Sequence, residues 1–148
     1  MKYLAIICAR SGSKGIKNKN ILKINDIPLI GHSIKTAKSI KRISKVIVST
    51  DSYKIAKIAI NYGAEVPFLR PKKYSTSKTS LNSVQEYTIN KIEKNNSIPD
   101  LFFHLEETFP FREDNLIDSM IEKLLNEGFD TVIAARKEFR VVWKDNSD

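Results

Sequence analysis

The chain has 148 residues, 41% of them hydrophobic and 28% charged, with a formal net charge of +8. That length is one ordinary domain, and the composition supports a packed core and excludes a wholly disordered chain. The single cysteine excludes an internal disulfide, which suits a reducing compartment.

The predicted elements alternate. "YLAIICA" (residues 3–9) is a continuous apolar run and reads as a buried strand. Residues 28–40, "PLIGHSIKTAKSI", put Ile30, Ile34 and Ala37 on one helical face, with Pro28 near the start. "KVIVST" (45–50) is β-branched and reads as a second buried strand. Asp51 is a candidate cap for the next helix, where Ile55, Ile58, Ala59 and Tyr62 share a face and Gly63 stops it. "AEVPFLRP" (64–71) is extended because Pro67 and Pro71 disfavour helix before them.

A polar loop over 72–80 leads to a helix from about Ser80 to Lys94, with Leu81, Val84, Thr88 and Ile92 inward. "DLFFHLE" (100–106) is the next strand. "FREDNLIDSMIEKLLNEG" (111–128) is the clearest helical pattern, with Glu113 and Asp114 in its first turn and Gly128 at its end. "DTVIAA" (130–135) reads as another strand, and the tail "RKEFRVVWKDNSD" begins as a strand and ends polar. This order predicts an α/β domain over 1–148, a three-layer, doubly wound, mostly parallel sheet with helices on both faces. Ligands bind such sheets at the carboxyl ends of the strands, so the loops beginning at Ala9, Thr50, Glu106 and Arg136 are the places to search.

Lysines are scattered over the predicted helices, at Lys35, Lys38, Lys54, Lys57, Lys91 and Lys94, which reads as a solvated surface rather than a nucleic-acid stripe. The N-terminal apolar run is too short for a membrane span and unlike a secretion signal, so the cytoplasm and no membrane contact are the expectations. His32 and His104 stand alone and read as packing or surface residues, and Cys8 as a small buried side chain, so no zinc site is expected.

One basic patch is concentrated. "CARSGSKGIKNKNI" (8–21) holds two glycines, two serines, four cations and two asparagines. Gly12 and Gly15 let backbone N–H groups turn inward, Arg10, Lys14 and Lys19 supply charge, and Ser11 and Ser13 supply hydroxyls. The spacing is neither that of a P-loop nor the dinucleotide fingerprint. Composition alone leaves a solvated basic loop and a phosphate site equally open; the position after the first strand favours phosphate.

Ala9 to Asn20 match A-R-x-G-S-K-G-x-x-x-K-N at every fixed position. That pattern resembles the N-terminal signature of the acylneuraminate cytidylyltransferases, and the related Kdo enzymes have a different first loop. "VIVSTDSYKIAKIAINYGAEVPFLRP" (46–71) is similar to the second block of that family, and "LEETFPFR" (105–112) to a third, usually L-Q-P-T-S-P-L-R. The resemblance implies the Rossmann-like fold of nucleotide-diphospho-sugar transferases. It also implies transfer of CMP from CTP to a nonulosonic acid such as a sialic acid, with Mg²⁺ as cofactor and pyrophosphate as second product. It assigns Arg10, Lys14 and Lys19 to charge neutralisation in catalysis. Ala9, Arg10, Ser11, Gly12, Ser13, Lys14, Gly15, Lys19 and Asn20 would meet the nucleotide, with Arg70 and Ser80, and Asn20 would lie at the base.

Glu106, Thr108 and Arg112 would meet the acceptor sugar. Three departures qualify this. The family's acidic residue near Ser80 is replaced around Ser77 and Lys78, and its Gln and Pro in the third block are Glu106 and Glu107. Glu106 is therefore expected to alter acceptor specificity. Asp51 matches the family's S-T-D, so a nucleotide or metal role stands beside the capping one. The family also continues beyond this length, through a dimerisation segment and a D-x-D pair that holds Mg²⁺; Asp145 and Asp148 of "DNSD" are not in its place. A catalytically weak CTP-binding paralogue and another sugar nucleotidyltransferase are thus the alternatives. The apolar "FRVVW" is an edge open to a partner, so a homodimer is an expectation.

Overall fold

A computed structural model describes residues 1–13, 15–94 and 98–135. Contacts divide the chain into two compact units, Met1–Arg112 and Glu113–Asp148.

The first unit is built on a parallel sheet. Strand β1 (Tyr3–Cys8) lies in the middle, between β4 (Ile43–Ser49) and β5 (Leu101–His104). It pairs with β4 from Leu4↔Lys45 to Cys8↔Ser49, and with β5 from Tyr3↔Leu101 to Ile6↔His104. The chain leaves β1 for a neighbour on one side and later returns to the other, so a topological switch lies at the carboxyl end of β1. Val46, Ile47 and Val48 are buried, as are Leu4 to Ile7, which explains the uninterrupted apolar runs.

Alternation along β1 divides the core. Leu4 and Ile6 join Ile47 and Ile92 in one cluster, with Cys8, Phe68, Ile89 and Phe102 packed against it. Ile89 and Ile92 belong to α3 (Leu81–Glu93), which covers this face. Ala5 and Ile7 point the other way, where α1 (Leu29–Ser39) packs on β1 and β4 through its buried side. Ile30 and Ile34 are fully buried there, each contributing roughly 2 kcal/mol of apolar transfer. Helix α2 (Tyr53–Asn61) packs on α1, and Gly31 makes room for it: a Cβ there would lie 2.9 Å from the Tyr62 ring. Gly63, at φ +85°, ends α2 in the left-handed region.

Two smaller features lie beside the three-stranded sheet. Residues after α2 run parallel to the outer edge of β4, with bridges Ile47↔Glu65 and Thr50↔Leu69, and the Arg70 N–H donates to the Thr50 carbonyl at 2.8 Å. This carries Arg70 to the carboxyl end of β4. A small hairpin, β2 (Lys23–Ile24) with β3 (Ile27–Pro28), precedes α1 and turns through Asn25 and Asp26, both at positive φ. Asparagine and aspartate suit that turn, a signal the hydrophobic pattern passes over.

In the second unit, α4 spans Leu116–Glu127 and stops at Gly128. It starts later than the apolar pattern suggests, because Asn115 at φ 64° breaks the helix before it; Glu113 and Asp114 therefore precede the first turn, where Asp118 is the acidic residue. Residues 130–135 form no strand: β-branched composition alone makes none without a pairing edge, and Ile133 is exposed. The tail strand and the loop at Arg136 lie outside the described residues. Among those described, no helix is long and apolar enough to cross a membrane.

Candidate functional site

The loop after β1 is anchored at both ends. Ala9 is buried and its N–H donates to the Ser49 carbonyl at 3.0 Å, which extends the β1–β4 ladder by one residue. Ser11 is held by Asp51, which accepts from the Ser11 N–H at 2.8 Å and from its hydroxyl at 2.7 Å. Asp51 is thus not the helix cap that the sequence suggests. Ser52 has the extended backbone of an N-cap, and its hydroxyl accepts from the Ile55 N–H, leaving the Asp51 carboxylate free to turn toward the loop. A Cβ added at Gly12 or Gly15 would meet no atom within 4 Å, and neither residue has positive φ. The folded chain itself gives no steric reason for glycine at either position. Lys14 lies outside the described residues.

A cleft of about 530 Å³ opens at the carboxyl ends of β1 and β4. Arg10, Ser13, Gly15, Lys19 and Asn20 form its wall from the first loop. Arg70, Tyr74, Thr76, Ser77 and Thr79 face them, and Glu107 enters from the loop after β5. The sequence-predicted cations Arg10, Lys19 and Arg70 therefore come together from distant positions. Ser11 and Gly12 stand outside the cleft lining, and the Ser11 hydroxyl is already committed to Asp51.

Arg70 is 4% exposed. Its Nη1 donates to the Ser49 carbonyl at 3.2 Å and its Nε to the Ser75 hydroxyl at 3.1 Å, but no carboxylate among the described residues lies within ion-pair distance. Burial lowers the guanidinium's pKa from its ordinary value, partly offset by Cys8 and Asp51 nearby. A buried cation without a paired carboxylate, facing a cleft, is poised for an anion. Asn20 is 2% exposed; its Nδ2 donates to the Arg10 carbonyl at 2.9 Å, while its Oδ1 is buried with no partner. The side chain, in the cleft lining, thus keeps an unsatisfied acceptor and commits one of its two N–H donors to shaping the loop. Cys8 lines the cleft as a protonated thiol: burial pushes its pKa up to about 11, so it is a poor nucleophile.

The other sequence-predicted residues lie elsewhere. Ser80 caps α3, accepting from the Ser83 N–H at 3.2 Å, and does not line the cleft, whereas its neighbours Thr79 and Leu81 do. Leu81 is exposed rather than inward because it borders this opening. Glu106, Thr108 and Arg112 gather beside the cleft: Thr108 Oγ1 donates to Glu106 Oε2 at 3.2 Å, and Arg112 Nη2 donates to the Glu106 carbonyl at 2.7 Å. Arg112 Nη1 is buried with no partner. His32 Nε2 lies 2.9 Å from the Ile24 carbonyl, and burial lowers the His104 pKa, which keeps that ring neutral.

A profile of one protein family, described as cytidylyltransferase, matches residues 4–145. The chain belongs to the cytidylyltransferase family. Among proteins similar to it, post-translational flagellin modification protein B of Campylobacter coli is 41% identical over 117 residues, 79% of this chain and 44% of that protein. Pseudaminic acid cytidylyltransferase of Campylobacter jejuni (serotype O:2) is 34% identical over 135 residues, 91% of this chain and 58% of that protein. N-acylneuraminate cytidylyltransferase of Escherichia coli O18:K1:H7 is 40% identical over 116 residues, 78% of this chain and 26% of that protein. The chain thus spans between about a quarter and three fifths of these relatives' length. A CMP:2-keto-3-deoxy-manno-octonic acid synthetase, solved with CTP, shares the fold at a TM-score of 0.70 and 17% identity, over 86% of this chain and 49% of that one.

Within this cleft, the sequence reading gave Glu107 no site role, yet its carboxylate meets Lys19 at 3.3 Å. It also missed the wall of Tyr74, Thr76 and Thr79. Thr76 and Thr79 share a hydrogen bond at 2.8 Å, and Tyr74 stacks on Tyr87 with ring centroids 4.4 Å apart. The only signal for this wall is the polar run "KKYSTSKTS" itself, which reads equally well as a plain loop.

Proposed function

We propose that this chain forms the nucleotide site of an enzyme that transfers CMP from CTP to a nonulosonic acid and releases pyrophosphate. The observation that carries this reading is the convergence of Arg10, Lys19 and the buried Arg70, unpaired with any carboxylate among the described residues, on one cleft beside the partnerless Asn20 Oδ1. Phosphates need the cations, and a cytosine amino group or a ribose hydroxyl needs the acceptor. Family membership and the names of the relatives, which include pseudaminic and N-acylneuraminate cytidylyltransferases, support the substrate class.

In the proposed step the anomeric hydroxyl of the sugar attacks the α-phosphorus, and the bond to the β-phosphate oxygen breaks. Negative charge then grows on the departing pyrophosphate. Arg10, Lys19 and Lys14 serve by neutralising it. Glu106, Thr108 and Arg112 are assigned to the acceptor side, where the partnerless Arg112 Nη1 is a donor suited to the sugar carboxylate.

Mg²⁺ supplies charge neutralisation on the phosphates in such chemistry. Among the described residues no group of three or more His, Cys, Asp or Glu side chains is placed to hold it. The described residues therefore form no protein cage for the ion, and no step above passes through one. The test is pyrophosphate release by the 148-residue chain with CTP, Mg²⁺ and a panel of sialic, pseudaminic and legionaminic acids. Release with at least one acceptor is expected, with a changed preference in Glu106→Gln. CTP binding without release from any acceptor would instead favour a nucleotide-binding chain that does not turn over.

A further inference from the structure

The loop after β5 carries two consecutive glutamates whose carboxylates go to different places. The carbonyl of Glu106 accepts from Arg112 Nη2 at 2.7 Å and from the Phe109 N–H at 3.4 Å, and the Ser33 hydroxyl lies 3.5 Å away. That carbonyl belongs to the peptide unit leading into Glu107, so the direction taken by Glu107 is fixed from three sides. Its side chain enters the cleft, 14% exposed, and Oε1 lies 3.3 Å from Nζ of Lys19, itself 27% exposed. Among the described residues lining the cleft, Glu107 is the only acid.

A carboxylate inside an anion cradle opposes the ligand that the cradle is made for. It holds the lysine that a phosphate chain would use, and it repels that chain in a setting where water screens less than at an open surface. We infer that Glu107 is a positioning residue that acts as a built-in counter-anion: it holds Lys19 over the empty cleft, competes with polyphosphate for it, and takes it back as pyrophosphate leaves. Pre-positioning limits the loss of lysine side-chain freedom on binding, and the competition keeps polyphosphate from binding so tightly that release is slow. This inference rests on the reading of the cleft as a triphosphate site.

The test is calorimetric titration of the whole chain with CTP, inorganic tripolyphosphate, pyrophosphate and cytidine. Wild type, Glu107→Gln, Lys19→Met and the double variant are compared, with melting curves to confirm folding. In Glu107→Gln the three phosphate ligands are expected to bind roughly three- to tenfold tighter, as expected for removal of a competing, partly buried ion pair. Cytidine should be unchanged, and in the Lys19→Met background the gain should shrink to what relief of direct repulsion supplies. Structural damage does not tighten binding, so this direction separates the inference from a merely supportive role. Weaker binding in Glu107→Gln, or a full gain that persists without Lys19, overturns it. Tripolyphosphate binding that follows the expected pattern without any CTP binding sinks the nucleotide reading and leaves the counter-anion standing. No phosphate binding to wild type overturns both.

Discussion

Asp51, two residues after the end of β4, accepts both the backbone N–H and the hydroxyl of Ser11, forty residues earlier, at 2.8 and 2.7 Å. These bonds tie the loop after β1, which delivers Arg10 to the cleft, to the carboxyl end of β4, where the segment after α2 brings Arg70. Removing the carboxylate in Asp51→Ala should loosen the loop more than it unfolds the chain. The donors released are exposed enough to find water, so the stability cost should stay near ~1 kcal/mol. CTP affinity should fall about tenfold, and Ser11→Ala, which removes only the hydroxyl bond, should show a smaller loss. Melting temperature and CTP titration of both variants check this. Tighter CTP binding in Asp51→Ala would mean that the lost negative charge outweighs the lost anchor.

Arg70 sets function against stability. Among the described residues its buried charge has two hydrogen bonds and no ion pair, and the Ser49 carbonyl it contacts also accepts from the Ala9 N–H. Removing a buried cation relieves its desolvation cost and offsets the two lost hydrogen bonds, so Arg70→Met should change stability by no more than about 1 kcal/mol. CTP affinity should drop by about 100-fold, since a desolvated, charge-assisted contact to phosphate is lost. Denaturant melts and calorimetry on the same variant measure both.

Cys8 gives a pH signature. Burial holds its thiol protonated to about pH 11, above the ordinary value of 9.0. Between those values the unfolded chain has lost the proton and the folded chain keeps it, so raising the pH draws the equilibrium toward unfolding. The stabilising contribution is complete below pH 9 and is lost as pH rises through 11. Cys8→Ala should flatten the decline in stability over that window. Iodoacetamide should label folded protein slowly at pH 8 and much faster in denaturant.

What the sequence made legible follows from its physics. Continuous apolar runs are read as buried strands because parallel strands are covered on both faces, as Val46 to Val48 are here. The glycine-bearing basic loop is legible because phosphate chemistry needs those residue types close together. Illegible features depend on contacts between distant positions. Nothing local says that Asp51 turns to Ser11 while Ser52 takes the cap, or that Glu107 reaches Lys19. The expected strand at 130–135 failed for a related reason: β propensity is realised only against a partner edge, which a one-dimensional pattern cannot supply. The late start of α4 turned on one backbone angle at Asn115, where the apolar periodicity gave no warning.

CTP is proposed to occupy the cleft between the first loop and the segment from Arg70 to Val84. Titration of CTP into ¹⁵N-labelled protein, followed by amide chemical shifts, tests it most directly. The expected result is saturable shifts concentrated at residues 9–20, 70–84 and 107, nearly abolished in Arg70→Met. Shifts confined to other surfaces, or none at millimolar CTP, would contradict it.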